Sequence, residues 1–213
     1  MNNKERAAKA VELLKKEYPD AVCSLEYRKP HELLIATRLA AQCTDARVNM
    51  VTPVLFGKYP TLESLAEADE QDISDIIHSC GFYKTKSHDI SQTCKILVKD
   101  YGGIVPDTVE ELTKLPGIGR KTANLVVGDV YGKPAVVCDT HCIRICGRLG
   151  FYPADMRDPV KTERIMSGLI EPGEQSDFCH RLVLFGREHC TARSPKCEGC
   201  PLGAVCPSYP IAK

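Results

Sequence analysis

The chain has 213 residues, 43% of them hydrophobic, with 28 basic and 28 acidic side chains and no tryptophan. That is enough for one large or two small domains with a real core, and the longest apolar stretches are short and broken by charge, which argues against a membrane span. A formal net charge of zero excludes a protein basic on every face but leaves room for a local basic patch.

The predicted elements are helical almost throughout. "MNNKERAAKAVELLKKEYP" is charged along its length, with Ala7, Val11 and Leu14 at helical spacing. It reads as an amphipathic helix rather than an apolar leader, so a cytoplasmic protein is expected. "HELLIATRLAAQCTDARVNMVTPVLF" sets Leu33, Leu34, Thr37, Ala40 and Ala41 on one face, and "KSHDISQTCKILVKDYGG" does the same with Ile90, Cys94, Leu97 and Val98. Gly102 and Gly103 suit the C-cap of that second helix. In "PDTVEELTKL", Thr108 followed three residues later by Glu111 predicts a capping box. "AVVC" at 135–138 is only four residues long and reads as an extended connector rather than a strand. "EQSDFCHRLVLFGREHC" is a further helix with Phe178, Leu182 and Phe185 inward. An all-α protein of about ten short helices is expected.

Between Leu115 and Ala123 stands "LPGIGRKTA". Pro116 stops one helix, Gly117 and Gly119 let the backbone turn tightly, and a second helix starts at Arg120. This is a helix-hairpin-helix pattern. The unpaired N–H groups opening its second helix form an anion site that fits a DNA phosphate without reading sequence. The spacing does not match a Walker-type phosphate loop. Lys121 sits in the first turn, where the helix dipole and the neighbouring Arg120 both disfavour a cation. A neutral amine there is a nucleophile. The motif alone serves a phosphate-contacting lysine equally well.

Asp139, in "VVCDTHCIRICGRLG", precedes another helical run. Aspartate at that place is an ordinary N-cap. It is also an immobilised carboxylate, able to take a proton from Lys121 and to stabilise positive charge on a sugar ring.

Of the twelve cysteines, Cys23, Cys43, Cys80, Cys94, Cys138, Cys142, Cys146 and Cys179 lie in apolar-periodic stretches without framework spacing. They read as free thiols of a reducing compartment. Cys138, His141, Cys142 and Cys146 form a weaker metal candidate, read here as packing residues. The remaining four, Cys190, Cys197, Cys200 and Cys206, follow C-x6-C-x2-C-x5-C among prolines and glycines. Four thiolates on one loop imply zinc or an iron–sulfur cluster.

The hairpin lysine, the aspartate in "DTH" and the four-cysteine spacing, in this order, resemble the endonuclease III family of DNA base-excision glycosylases nearly end to end. The resemblance implies two helical domains flanking a DNA-binding cleft. A six-helix domain over 23–133 would hold the helix-hairpin-helix, and residues 1–22 with 134–213 would form an iron–sulfur domain. The four cysteines would bind a [4Fe–4S] cluster of structural role. The implied enzyme is a bifunctional DNA glycosylase/AP lyase, a monomer working at the nucleoid. It excises oxidised pyrimidines from duplex DNA and cleaves the abasic strand by β-elimination through a lysine Schiff base. Its partner is double-stranded DNA with a damaged base or abasic site. Lys121 and Asp139 are the implied catalytic residues.

The same resemblance extends to DNA contacts. In "AAQCTD", Gln42 would fill the gap left by an extruded nucleotide, with Asp45 near the base pocket. In "GFYKTK", Phe82 would wedge into the opposite strand, with Lys84 and Lys86 on phosphates. Pro116, Gly117, Ile118, Gly119 and Arg120 would cradle the backbone, and Arg193 and Lys196 would meet phosphates from the cysteine loop. Mismatch-specific adenine or thymine glycosylases of the same superfamily are the nearest alternatives, disfavoured by Lys121. The adenine enzymes also carry an extra C-terminal domain, for which a chain ending at Lys213 leaves no room. A non-catalytic DNA-binding module and a cluster-based electron carrier are the alternatives from other classes.

Overall fold

A computed structural model describes residues 1–211; the last two positions of the expected 134–213 segment lie outside it. The described residues contain eleven α-helices and no strand. In chain order these are α1 (Asn3–Glu17), α2 (Pro30–Ala40), α3 (Asp45–Lys58), α4 (Leu62–Glu67), α5 (Glu70–Ile76), α6 (Tyr83–Tyr101), α7 (Val109–Leu112), α8 (Arg120–Tyr131), α9 (Thr140–Arg148), α10 (Pro159–Leu169) and α11 (Gln175–Glu188). No described helix is long and apolar enough to cross a membrane. Contacts divide the chain into two units: Ser24–Tyr131, and Met1–Cys23 with Gly132–Lys213.

In the unit Ser24–Tyr131, α2 is the central element and packs against α3, α6 and α8. Its sequence allows this because almost every residue from His31 to Leu39 is buried. Pro30 occupies the first helical position, where its missing N–H costs nothing. Glu32 turns its carboxylate back to accept from the backbone N–H of Arg28 at 2.7 Å. The helix α6 ends as its glycines predict: Gly102 is left-handed at φ 59°, and the N–H of Gly103 reaches the carbonyl of Leu97 at 2.9 Å.

Two details differ from the sequence reading. Thr108 caps α7 by accepting from the Glu111 N–H at 3.3 Å, but the box is only half made. The Glu111 carboxylate is instead taken by Tyr101 at 2.8 Å and by Lys114 at 2.5 Å, partners stronger than a backbone amide. And α7 is a single turn that ends at Leu112, ahead of Pro116. The Thr113 hydroxyl donates back to the carbonyl of Val109 at 2.9 Å, and a residue before proline resists helical geometry.

One polar pair organises the hairpin from behind. Arg38 of α2 donates through Nε and a terminal nitrogen to the same oxygen of Asp89 on α6, at 2.8 and 2.6 Å. Gly117 lies against this pair. A Cβ on Gly117 would sit 2.3 Å from both Arg38 Nε and Asp89 Oδ2. Its φ of 69° is also left-handed, so this glycine is required twice over. The flanking Leu115 and Ile118 are buried, which fixes the turn in the core.

In the other unit α11 is the hub, packed against α1 and α9. Phe178, Leu182 and Phe185 are buried there. Residues 135–138 form a buried extended connector without strand pairing. Among the eight scattered cysteines, Cys23 and Cys43 are half-buried and the other six are buried, all as free thiols. The neighbouring thiols of Cys138, Cys146 and Cys179, with burial, push the Cys142 thiol up. Among the described residues, no three His, Cys, Asp or Glu side chains converge as a single-ion site.

Gly117→Ala should therefore destabilise the protein by about 1–3 kcal/mol, through strain at a left-handed position and a clash with the Arg38–Asp89 pair. Gly119→Ala should change stability by less than about 0.5 kcal/mol, because its Cβ would meet nothing within 4 Å. Thermal melts of the two variants check the contrast.

Candidate functional site

The hairpin presents the first turn of α8. Gly119, Arg120 and Lys121 are exposed, Pro116 is half-buried, and Ile118 is buried. The Ile118 side chain is therefore core, and its N–H is already given to the Leu115 carbonyl at 3.2 Å. The N–H groups opening α8 have no partner within the helix by geometry alone. At Gly119 the backbone is not left-handed and nothing crowds the position of a Cβ. The space beside this glycine is thus open for another molecule's approach.

Asp139 caps α9, its carboxylate accepting from the Cys142 N–H at 2.7 Å. The cap fixes the side chain and leaves the second carboxylate oxygen for other work. Both expected roles, cap and held carboxylate, are compatible.

Gln42 and Phe82 share an unusual backbone. They are the non-glycine residues with positive φ among the described residues, at 53° and 48°. Both are exposed, and the Phe82 ring is 66% exposed, an uncommon cost for a phenyl group. Phe82 is the N-cap of α6 and follows Gly81, itself left-handed. Asp45 opens α3 and accepts from the Ser24 hydroxyl at 2.6 Å. Lys84 is exposed.

Lys86 is not a surface cation. It is 1% exposed, and its ammonium donates to the carbonyls of Leu39 at 2.7 Å and Cys80 at 2.8 Å. Burial pulls its pKa down from the usual lysine range. It ties the end of α2 to the turn before Phe82, so the expected phosphate contact is replaced by a structural clamp. No local pattern distinguishes it from Lys84, since both carbonyl partners are supplied by other segments.

The four cysteines of the C-terminal loop are half-buried and line one cavity of about 360 Å³, counting its open part. Leu149, Phe185 and Leu202 supply its apolar wall. Two of the sulfurs accept from N–H donors. Arg148 donates to Cys190 Sγ at 3.1 Å and the Ile211 N–H to Cys197 Sγ at 3.4 Å. The Cys206 thiol donates to the Arg148 carbonyl at 3.6 Å. Burial raises the Cys200 and Cys206 thiols, and the nearby backbone of Leu202 and Ser208 opposes it. Four thiols around one space, two of them with an N–H donor, suit a thiolate-ligated cluster, whose sulfurs are tuned by such bonds.

Arg144 and Arg148 were not legible as part of this site. Arg144 donates to the Cys190 carbonyl at 2.9 Å, and Arg148 to the carbonyls of Thr191 at 2.8 Å and Ala192 at 3.0 Å. Their i, i+4 spacing puts them on one face of α9, which is the available sequence signal. Arg193 and Lys196 are exposed on the same loop, and the Lys196 N–H bonds to the His189 carbonyl at 2.9 Å.

An all-helical chain with a glycine hairpin and a four-cysteine loop defines a base-excision DNA repair protein. The family model described as HhH-GPD superfamily base excision DNA repair protein matches residues 35–172, and the iron–sulfur binding domain of endonuclease III matches residues 190–206. Endonuclease III of Synechocystis sp. is 45% identical over 208 residues, covering 97% of this chain and 94% of that one. Endonuclease III of Escherichia coli K12 is 35% identical over 205 residues, covering 96% of each. Among solved structures, a trapped endonuclease III–DNA covalent intermediate aligns at 42% identity with a TM-score of 0.90, covering 97% of each chain. A thermostable thymine-DNA glycosylase, at 23% identity and a TM-score of 0.88, shares the fold. The chain belongs to the endonuclease III family. It is a DNA glycosylase/AP lyase of base excision repair with a [4Fe–4S] cluster domain.

Arg148→Leu removes one sulfur donor and three carbonyl contacts together. Its cluster should be lost about 10–100-fold more readily to a chelator, followed through the visible thiolate–iron absorbance.

Proposed function

We propose that Lys121 is the nucleophile and Asp139 the proton acceptor of this glycosylase/AP lyase, acting on oxidised pyrimidines in duplex DNA. The observation that carries the reading is the presentation of Lys121. It is exposed on the first turn of α8, two residues after a glycine whose side-chain position is open. A phosphate drawn to the N–H groups of that turn brings the adjoining sugar toward the lysine amine.

Extrusion of the damaged nucleotide costs a few kcal/mol, about what unstacking demands, and less for a lesion that stacks poorly. Gln42 and Phe82 offset that cost by occupying the vacancy, from left-handed corners that hold both side chains outward. Asp45 borders the base. The Lys121 amine attacks C1′, the base departs, and Asp139 takes a proton and balances the positive charge on the sugar. The resulting iminium acidifies the C2′ hydrogen. Its loss expels the 3′ phosphate and breaks the strand.

Pro116, Gly117, Gly119 and Arg120 cradle one phosphate, and Lys84, Arg193 and Lys196 supply further positive charge, as sequence-independent binding requires. Ile118 contributes by anchoring the turn. The unit Ser24–Tyr131 is the hairpin domain, and the unit of Met1–Cys23 with Gly132–Lys213 is the cluster domain. Cys190, Cys197, Cys200 and Cys206 hold the [4Fe–4S] cluster, which when bound cross-links the loop carrying Arg193 and Lys196. The protein binds damaged or abasic double-stranded DNA as a monomer at the nucleoid.

Lys121→Ala should abolish cleavage of a duplex carrying one oxidised pyrimidine while affinity stays within a few fold. Asp139→Asn keeps an oxygen for the Cys142 N–H and so keeps the cap. It should melt like the wild type yet lose about 10²–10⁴-fold in single-turnover rate. Wild-type cleavage by either variant would refute its assigned role.

A further inference from the structure

Gln42 and Phe82 stand on separate segments, one after α2 and one before α6, and a single buried side chain reaches both. The Lys86 ammonium donates to the Leu39 carbonyl at 2.7 Å, three residues before Gln42, and to the Cys80 carbonyl at 2.8 Å, two residues before Phe82. The Lys86 backbone N–H donates to the Phe82 carbonyl at 3.0 Å. One residue thus holds the chain on both sides of Phe82.

The two segments do not supply these bonds themselves. Leu39 lies in the last turn of α2, and the N–H four residues on, that of Cys43, goes to the Ala40 carbonyl instead, at 3.1 Å. The Leu39 carbonyl is one of the acceptors that a helix leaves over at its C-terminus, where the dipole favours a cation. At the other corner, Phe82 is an N-cap whose side chain offers no capping bond.

We propose that Lys86 is a positioning residue of base extrusion, setting the spacing of Gln42 and Phe82 so that both enter the vacated stack together. This role rests on the reading that these two residues fill the vacancy. A gap one nucleotide long admits two side chains only if they arrive in register. Each stands on backbone that relaxes unless its surroundings hold it. Methionine at position 86 keeps much of the apolar stem and loses both side-chain bonds, which leaves two carbonyls without their donor.

The Arg38–Asp89 pair separates this role from a general one. Asp89 lies one turn after Lys86 on α6, and Arg38 precedes Leu39 on α2. The pair therefore bolts the same two helices together, while bearing on Gly117. Loss of the Lys86 amine leaves that pair in place, and with it the hairpin that presents Lys121. The two corners alone lose their tie.

The test compares Lys86→Met with the wild type, both full-length and cluster-loaded, on two substrates. One is a duplex carrying one oxidised pyrimidine, from which excision needs the vacancy filled. The other is a single-stranded oligonucleotide with one abasic site, which offers Lys121 a sugar with no stack to fill. Single-turnover excision from the duplex should fall about 10–100-fold, while cleavage of the single strand stays within about 2-fold. In a Gln42→Ala, Phe82→Ala background, Lys86→Met should cost less than about 2-fold more on the duplex, since nothing is left to aim. Equal losses on both substrates, an unchanged duplex rate, or the full loss repeated in that background would overturn the role. Should Lys86→Met not fold, Lys86→Gln, which keeps an N–H donor, goes through the same comparison. Failure of both to fold makes Lys86 a folding residue and overturns the role as well. Wild-type excision by the Gln42→Ala, Phe82→Ala protein would instead count against the vacancy-filling reading itself.

Discussion

The Arg38–Asp89 ion pair is the constraint on which the hairpin depends. Each side chain is 14% exposed, so both charges are largely removed from water and cannot wander. Such a pair adds little net stability, since its desolvation offsets much of its attraction. Its contribution is positional. It fills the volume beside Gly117, so the chain passes this point only as a glycine in a left-handed turn. Leu115 and Ile118 then point into the core, and the next outward-facing residues are Gly119, Arg120 and Lys121. A buried polar contact thereby decides which atoms this turn presents outward.

A second buried charge acts the same way at a different place. Lys86 satisfies two carbonyls that end or precede strained corners, and leaving them unpaired would cost about 1–3 kcal/mol. Gln42 and Phe82 hold conformations that isolated residues avoid, and the exposure of the Phe82 ring adds to the expense. A globular fold has no use for either feature on its own account. The proposed insertion into a duplex supplies one, because a ring that is costly in water is covered once it stacks between bases. In the cluster loop the pattern repeats with Arg148, which gathers a sulfur and successive carbonyls into one arrangement.

What the sequence discloses follows from range. The amphipathic α1, the glycine C-cap of α6, the Asp139 cap and the four-cysteine spacing rest on neighbours within a few residues, so local patterns carry them. The spacing from Cys190 to Cys206 needs only one loop. The role of Gly117 was legible as a turn but not as a fit against Arg38 and Asp89, which are 51 residues apart from each other. Lys86 looked like any solvated lysine because its acceptors lie 47 and 6 residues away. Thr108 and Glu111 satisfied a local rule that Tyr101 and Lys114 then overrode. Charges that close tertiary contacts leave no periodic trace.

The central claim is that the amine at the start of α8 bonds to the sugar. Borohydride reduction during turnover on an abasic duplex, followed by proteolysis and mass mapping of the adduct, tests it most directly. The account predicts a single modified peptide with the deoxyribose carbon on Lys121 Nζ. A sugar adduct on another lysine, or on the N-terminal amine, would contradict it.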